Sequence, residues 1–138
     1  MKIKLGLIIA IIIAFGSING FSQCSSGTVD GCSKQMTSGF TYLKSMKVEM
    51  RGKDYVEYSN VFSKGNMYML KACKDAAPDM IIEIYDNTRR LVGTNFSKGK
   101  LLMDYVALKC SNTSIYYIKF KFPKGNSSTC GVGVLGFK

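Results

Sequence analysis

The stretch Ile115-Tyr116-Tyr117-Ile118-Lys119-Phe120-Lys121-Phe122 decides the fold. Tyr116, Ile118, Phe120 and Phe122 fall on one side of a two-residue period, and Tyr117, Lys119 and Lys121 on the other. Successive side chains of an extended chain point to opposite faces, so this alternation describes a strand with one face buried and one wet. Tyr116 and Tyr117 must then point apart, which leaves one ring for the core and one as a candidate binding platform.

Outward from this strand the same period recurs. In Phe40–Arg51 the residues Phe40, Tyr42, Met46, Val48 and Met50 alternate with Thr41, Ser45, Lys47, Glu49 and Arg51, and only Leu43 and Lys44 break the pattern. Further strands are expected at 54–62, 67–74, 80–85, 90–95, 101–110 and 129–137, with turn signals such as Lys64-Gly65-Asn66, Asp86-Asn87-Thr88-Arg89 and Lys98-Gly99-Lys100 between them. Met80–Tyr85 is apolar enough to predict a central strand covered on both faces. Eight short strands with linkers too short for helical crossovers predict an all-β fold, an antiparallel, jelly-roll-like β-sandwich over residues 40–138. No stretch carries a 3.6-residue period over three turns, and residues 23–39, rich in Ser, Gly and Thr, read as an irregular arm fastened by cysteines. There is no internal repeat and no sign of a second domain.

The amino terminus reads as a secretory leader. Lys2 and Lys4 precede an apolar run from Leu5 to Phe15, and Gly20-Phe21-Ser22 has the small-x-small form of a cleavage site, which assigns 1–22 to a signal peptide. The apolar run is shorter than the ~20 residues a membrane-spanning helix needs, so no transmembrane span is expected after cleavage. Lipidation at Cys24 is the alternative, disfavoured because Phe21-Ser22-Gln23 lacks a small residue directly before the cysteine. The expected location is secreted, periplasmic or cell-surface.

Composition then excludes several chemistries. The 138-residue chain has no His and no Trp, which removes Ser-His-Asp and Cys-His catalysis, histidine zinc sites and the usual general base at neutral pH. No enzyme activity and no cofactor are expected. The formal charge of +10 becomes +8 once Lys2 and Lys4 leave, with 17 basic against nine acidic residues. The five cysteines, Cys24, Cys32, Cys73, Cys110 and Cys130, all follow the leader and read as disulfide partners in an oxidising compartment. At most two bridges form within one chain. The flexible Ser-Ser-Gly-Thr-Val-Asp-Gly link favours a local Cys24–Cys32 pair, the other three lie at strand ends, and one thiol is left buried or paired outside the chain.

Two groups of charges are candidate sites. Asp75, Asp79, Asp86 and Asp104 bracket one end of the expected sandwich and would suit calcium if they converged, although the loop lacks a DxDxDG pattern. The structural reading assigns Asp75 and Asp79 to the Pro78 turn and Asp86 to capping its own turn. Arg89, Arg90, Lys98 and Lys100 lie on adjacent turns, and Lys119 and Lys121 share a strand face with Tyr117. Such a surface suits an anionic glycan, lipid headgroups or another envelope protein; solvation and protection of strand edges are the competing uses. No nucleic-acid module signature is present, so no nucleic acid is expected as partner. Asn95-Phe-Ser, Asn112-Thr-Ser and Asn126-Ser-Ser match the glycosylation sequon; if the source is bacterial these are chance matches in turns.

The run Val61-Phe62, Gly65 and Tyr68, then Asp79, Ile82, Ile84 and Tyr85-Asp86, then Leu91, Asn95 and Tyr116-Tyr117-Ile118, resembles the bacterial pre-peptidase C-terminal domain over about residues 58–138. That resemblance implies a secreted β-sandwich with a non-catalytic accessory role. Function is therefore expected to be that of a secreted or surface-exposed binding module. The alternative is a structural envelope component that assembles through an edge strand or its unpaired cysteine.

Overall fold

The computed structural model describes residues 26–34, 36, 38–73, 79–124 and 130–138. A short helix, α1 (Ser26–Ser33), precedes β1 (Thr41–Glu49), β2 (Val56–Phe62), β3 (Met67–Ala72), β4 (Ile81–Tyr85) and β5 (Leu91–Thr94). A two-residue hairpin, β6 (Phe96–Ser97) and β7 (Lys100–Leu101), follows, then β8 (Tyr105–Lys109), β9 (Ser114–Lys121) and β10 (Cys130–Phe137). One sheet has the order β1-β10-β3-β8 and the other β2-β9-β4-β5, and every pairing is antiparallel. Leaving the small hairpin aside, the eight longer strands lie in chain order 1-8-3-6 and 2-7-4-5. That is the jelly-roll arrangement, so the expected fold class holds.

The alternation of β9 works as its residue types dictate. Tyr116, Ile118 and Phe120 are buried between the sheets with Ile82 and Ile84 of β4 and Leu70 of β3, while Tyr117, Lys119 and Lys121 face outward. Phe62 stacks on Tyr68 at 4.0 Å and on Tyr116 at 4.9 Å between ring centroids, which closes one end of the core. Phe120 fills the space that a side chain at Gly133 of β10 would take, since a Cβ there would lie 2.5 Å from the ring. The break at Leu43 and Lys44 is a register shift of β1 against β10 between Tyr42 and Lys44.

Three expectations are corrected. Residues 26–33 form a helix although two glycines and no apolar stripe argue against one. Its last turn is held by a Cys32–Cys73 disulfide and by packing of Cys32 and Met36 over Val132 and Val134 of β10. Tertiary fastening thus overrides weak propensity. The single strand expected over 101–110 is two, because Leu102–Asp104 leaves the sheet where Asn95 captures its backbone. Finally, β4 is central but has one core face; its other face carries Glu83 and Tyr85, half-buried under charged side chains of β9.

Asn95 is the buried polar hinge of this region, 1% exposed. Its side chain accepts from Ile82 N at 2.7 Å and donates to Met80 O at 3.0 Å and Met103 O at 3.1 Å. Its own N–H donates to Ile82 O, and its carbonyl accepts from Leu102 N. One amide therefore ties β4 to the segment that leads into and out of the β6–β7 hairpin, and a buried sequon asparagine is no acceptor for glycan.

Candidate functional site

The outer face of the β2-β9-β4-β5 sheet gathers aromatic rings and charges into rows set by the strand register. Tyr85 of β4 lies between Leu91 of β5 and Tyr117 of β9, and Tyr117 lies beside Ser59 of β2. One step along the strands, Glu83 lies between Thr94 and Lys119, and Lys119 beside Glu57. The next step pairs Ile81 with Lys121. Signs alternate across the middle row as Glu83, Lys119, Glu57, the arrangement that stabilises cross-strand neighbours.

Arg89 closes over this face from the β4–β5 turn, where its φ of 65° is left-handed. Its guanidinium carbon sits 3.5 Å from the Tyr117 ring centroid, and its Nη1 donates to both Glu57 oxygens at 2.8 Å. Lys119 Nζ lies 4.5 Å from the Tyr55 ring and 4.9 Å from the Tyr85 ring, with Glu57 3.7 Å away. Lys121 Nζ contacts Glu83 at 2.8 Å, and the Tyr85 hydroxyl donates to the same carboxylate at 2.7 Å. Cation over ring and carboxylate beside cation together hold each long side chain in one place.

The protonation states follow from these contacts. Burial alone would raise the Glu83 carboxyl, but hydrogen bonds from Lys121 and Tyr85 and the nearby lysine charges outweigh it and hold the group below its ordinary value. Burial, and then the Glu83 carboxylate, push Tyr85 up to about 12. The hydrogen bond to Glu57 raises Arg89 further. These three groups all move away from neutrality, so the face offers fixed charge and stacking surface rather than proton transfer near pH 7.

The candidates named from sequence fall into separate groups. Arg89, Lys119 and Lys121 converge on this face, each already paired with Glu57 or Glu83. Arg90 turns away to Asp86 at 3.2 Å, while Lys98 and Lys100 lie exposed on the β6–β7 hairpin. Asp86 is committed to its turn, accepting from Thr88 N, Thr88 Oγ1 and Arg90 N at 2.9, 2.7 and 3.0 Å; the Thr88 hydroxyl is the main cause of its lowered pKa. Asp104 pairs with Lys71 at 3.8 Å, Asp79 is exposed, and Asp75 lies outside the described residues. Among the described residues no three potential ligands gather as a metal site.

Cys32 bonds to Cys73 across 41 residues, which overturns the local Cys24–Cys32 pairing; strand-end proximity wins over a short flexible link. Cys130 is also disulfide-bonded, and among the described residues Cys110 is a free thiol, 1% exposed, its Sγ 3.0 Å from Asn112 O and 3.7 Å from Tyr116 Oη. Buried in this way it reaches another molecule only through local opening. Cys24 and residues 1–22 lie outside the described residues.

Glu57, Glu83, Tyr55 and Tyr85 were not singled out as site residues from sequence. The signal available was the outward phase of each strand, but only the sheet order puts Glu57 beside residues 62 positions later. An open cavity of about 340 Å³ at the β1–β2 turn, lined by Lys47, Glu49, Arg51, Lys53, Val56 and Tyr58, was likewise unforeseen. There Glu49 bridges Lys47 and Arg51 at 2.6 Å each.

Fold and face together define a jelly-roll β-sandwich with an ion-paired aromatic sheet surface. No family model matches the chain, and no curated protein does. Among solved structures it is similar to PliG of Aeromonas hydrophila, a periplasmic lysozyme inhibitor of g-type lysozyme. The TM-score is 0.54 at 12% identity, over 75% of this chain and 92% of that one, a likeness of fold. Among the described residues no helix is long and apolar enough to cross a membrane.

Proposed function

We propose that this chain is an exported, non-catalytic binding protein whose partner is another protein of the cell envelope or its surroundings, bound on the outer face of β2-β9-β4. The Arg89–Tyr117 stack clamped by Glu57 carries the reading. Tyr and Arg held rigid before contact are the residue types that dominate protein interfaces, because little side-chain entropy is lost on binding. The charges on the face are already spent on Glu57 and Glu83, so a polyanion would have to displace those carboxylates to gain anything. That disfavours an anionic glycan at this face. The accessory role implied by the pre-peptidase C-terminal resemblance, and the export implied by residues 1–22, belong to the same proposal.

The fold neighbour's description supports g-type lysozyme as the first partner to test. Calorimetric titration of the purified protein with g-type lysozyme, with a parallel lytic assay, is expected to show binding. Arg89→Ala and Tyr117→Ala are each expected to weaken it tenfold or more, the cost of about 1.4 kcal/mol or above at an interface centre. No binding at micromolar concentrations removes lysozyme as partner; binding untouched by both substitutions removes the face.

A further inference from the structure

We propose a second docking surface at the end of the sandwich where β1, β3, β5 and β9 finish, and that its ligand is an anionic lipid bilayer. The strand orders place β1 against β2, β10 against β9 and β8 against β5, with β3 and β4 between, so the strand ends here line up from one side of the sandwich to the other. Three strand spacings separate the β1–β2 turn from the β6–β7 hairpin, about 14 Å. Arg51 and Lys53 stand at one side, Lys98 and Lys100 at the other, and Lys124 follows β9 between them.

Most of these cations differ from those of the sheet face in having no carboxylate partner among the described residues. Among the described residues Lys53, Lys98, Lys100 and Lys124 are exposed and form no ion pair, and Arg51 and Lys47 share the single carboxylate of Glu49. Among the described residues the end stays positive after Asp54, Asp79 and the Lys71-paired Asp104 are counted. Arg51 and Lys98 also occupy left-handed backbone, with φ of 41° and 50°, each followed by a left-handed glycine at 78° or 76°. In such left-handed turns Asn or Gly is the low-energy choice, so a cation there is held against local preference.

Apolar side chains sit at the same end. Leu102 is 58% and Met103 51% exposed, directly after the hairpin. Their exposure is enforced, because Asn95 binds Leu102 N and Met103 O and holds this backbone off the sheet. Flexible cations around protruding aliphatic side chains match a headgroup layer over acyl chains, where charge attraction and apolar insertion add. A soluble polyanion would engage the lysines and leave Leu102 and Met103 idle.

The test is co-sedimentation of the full chain, as purified after export, with vesicles of phosphatidylcholine alone or with 30% phosphatidylglycerol added, at low and high salt. Binding is expected only with phosphatidylglycerol. Each lysine near an anionic surface contributes roughly fivefold, so Lys98→Gly with Lys100→Ala is expected to weaken partitioning about twenty-five-fold. Lys98→Gly relieves the left-handed strain, so this variant should melt no lower than its parent, and weak binding cannot be ascribed to misfolding. Leu102→Ser with Met103→Ser is expected to remove the binding that survives high salt. Lys64→Ala with Arg90→Ala, the same charge loss at the opposite end, should change binding less than threefold. Equal losses from the two charge pairs, full binding without Leu102 and Met103, or no sedimentation with anionic vesicles would each overturn the proposal. This surface is separate from the sheet face, so a negative lysozyme result has no bearing on it.

Discussion

Replacing Asn95 by alanine isolates the hinge that shapes the hairpin end. The substitution strands the Ile82 N–H, a buried donor now satisfied at 2.7 Å, and takes a donor each from Met80 O and Met103 O. An orphaned buried donor costs about 1–3 kcal/mol, and each lost carbonyl partner about 0.5–1.5. The expected loss is about 3–5 kcal/mol, a large share of the roughly 5–15 that a domain of this kind has in total. Asn95→Asp sharpens the test. It keeps the acceptor for Ile82 N but sets a carboxylate oxygen against two carbonyls in a buried site, so at pH 7 it is expected to destabilise at least as much as alanine. Burial raises the pKa of that carboxyl in the folded state. Its stability is therefore best at low pH, where the acid is protonated and can donate, and is lost as pH rises through the raised value. Urea unfolding followed by circular dichroism or tyrosine fluorescence measures all three proteins, the chain having no Trp. An alanine variant within about 1 kcal/mol of the parent, or an aspartate variant that matches it at pH 7, would refute the hinge.

Opening the Cys32–Cys73 bridge by a double serine substitution is expected to cost about 4 kcal/mol from the chain entropy of a 41-residue loop, read from the urea midpoint. Glu83, with its pKa lowered in the fold, stabilises the protein above the ordinary glutamate value of 4.5 and loses that contribution as pH falls through its lower folded value. Melting temperature should accordingly drop as pH falls below the ordinary glutamate value of 4.5 in the parent, and more shallowly in Glu83→Gln. Gly133→Ala forces a methyl to 2.5 Å from the Phe120 ring and is expected to cost about 1–3 kcal/mol by thermal melt, with partial recovery when Phe120→Leu is added.

The sheet was legible where neighbouring positions carry the information. Alternation in β9 and β1 marked both faces, and the misplaced Leu43-Lys44 pair marked the register shift of β1. Lys119 and Lys121 could be placed beside Tyr117 for the same reason. α1 was invisible because Ser, Gly and Thr carry no apolar period, and a disulfide to the end of β3 stabilises it from outside. Asn95 looked like an ordinary strand-end polar residue, since nothing local reveals that three backbone groups converge on its amide.

Strand phase, turn positions, the absence of histidine chemistry and the basic excess were determined by the sequence alone, because each depends on residue type and near-neighbour spacing. Which charges are free was decided by the tertiary structure. Sheet order brings Glu57 to Arg89 and Glu83 to Lys121, quenching the cations that looked most available, while among the described residues Lys98 and Lys100, on the hairpin that follows the edge strand, form no ion pair. Electrostatic availability depends on distances between strands far apart in the chain, and only the packed jelly roll sets those distances.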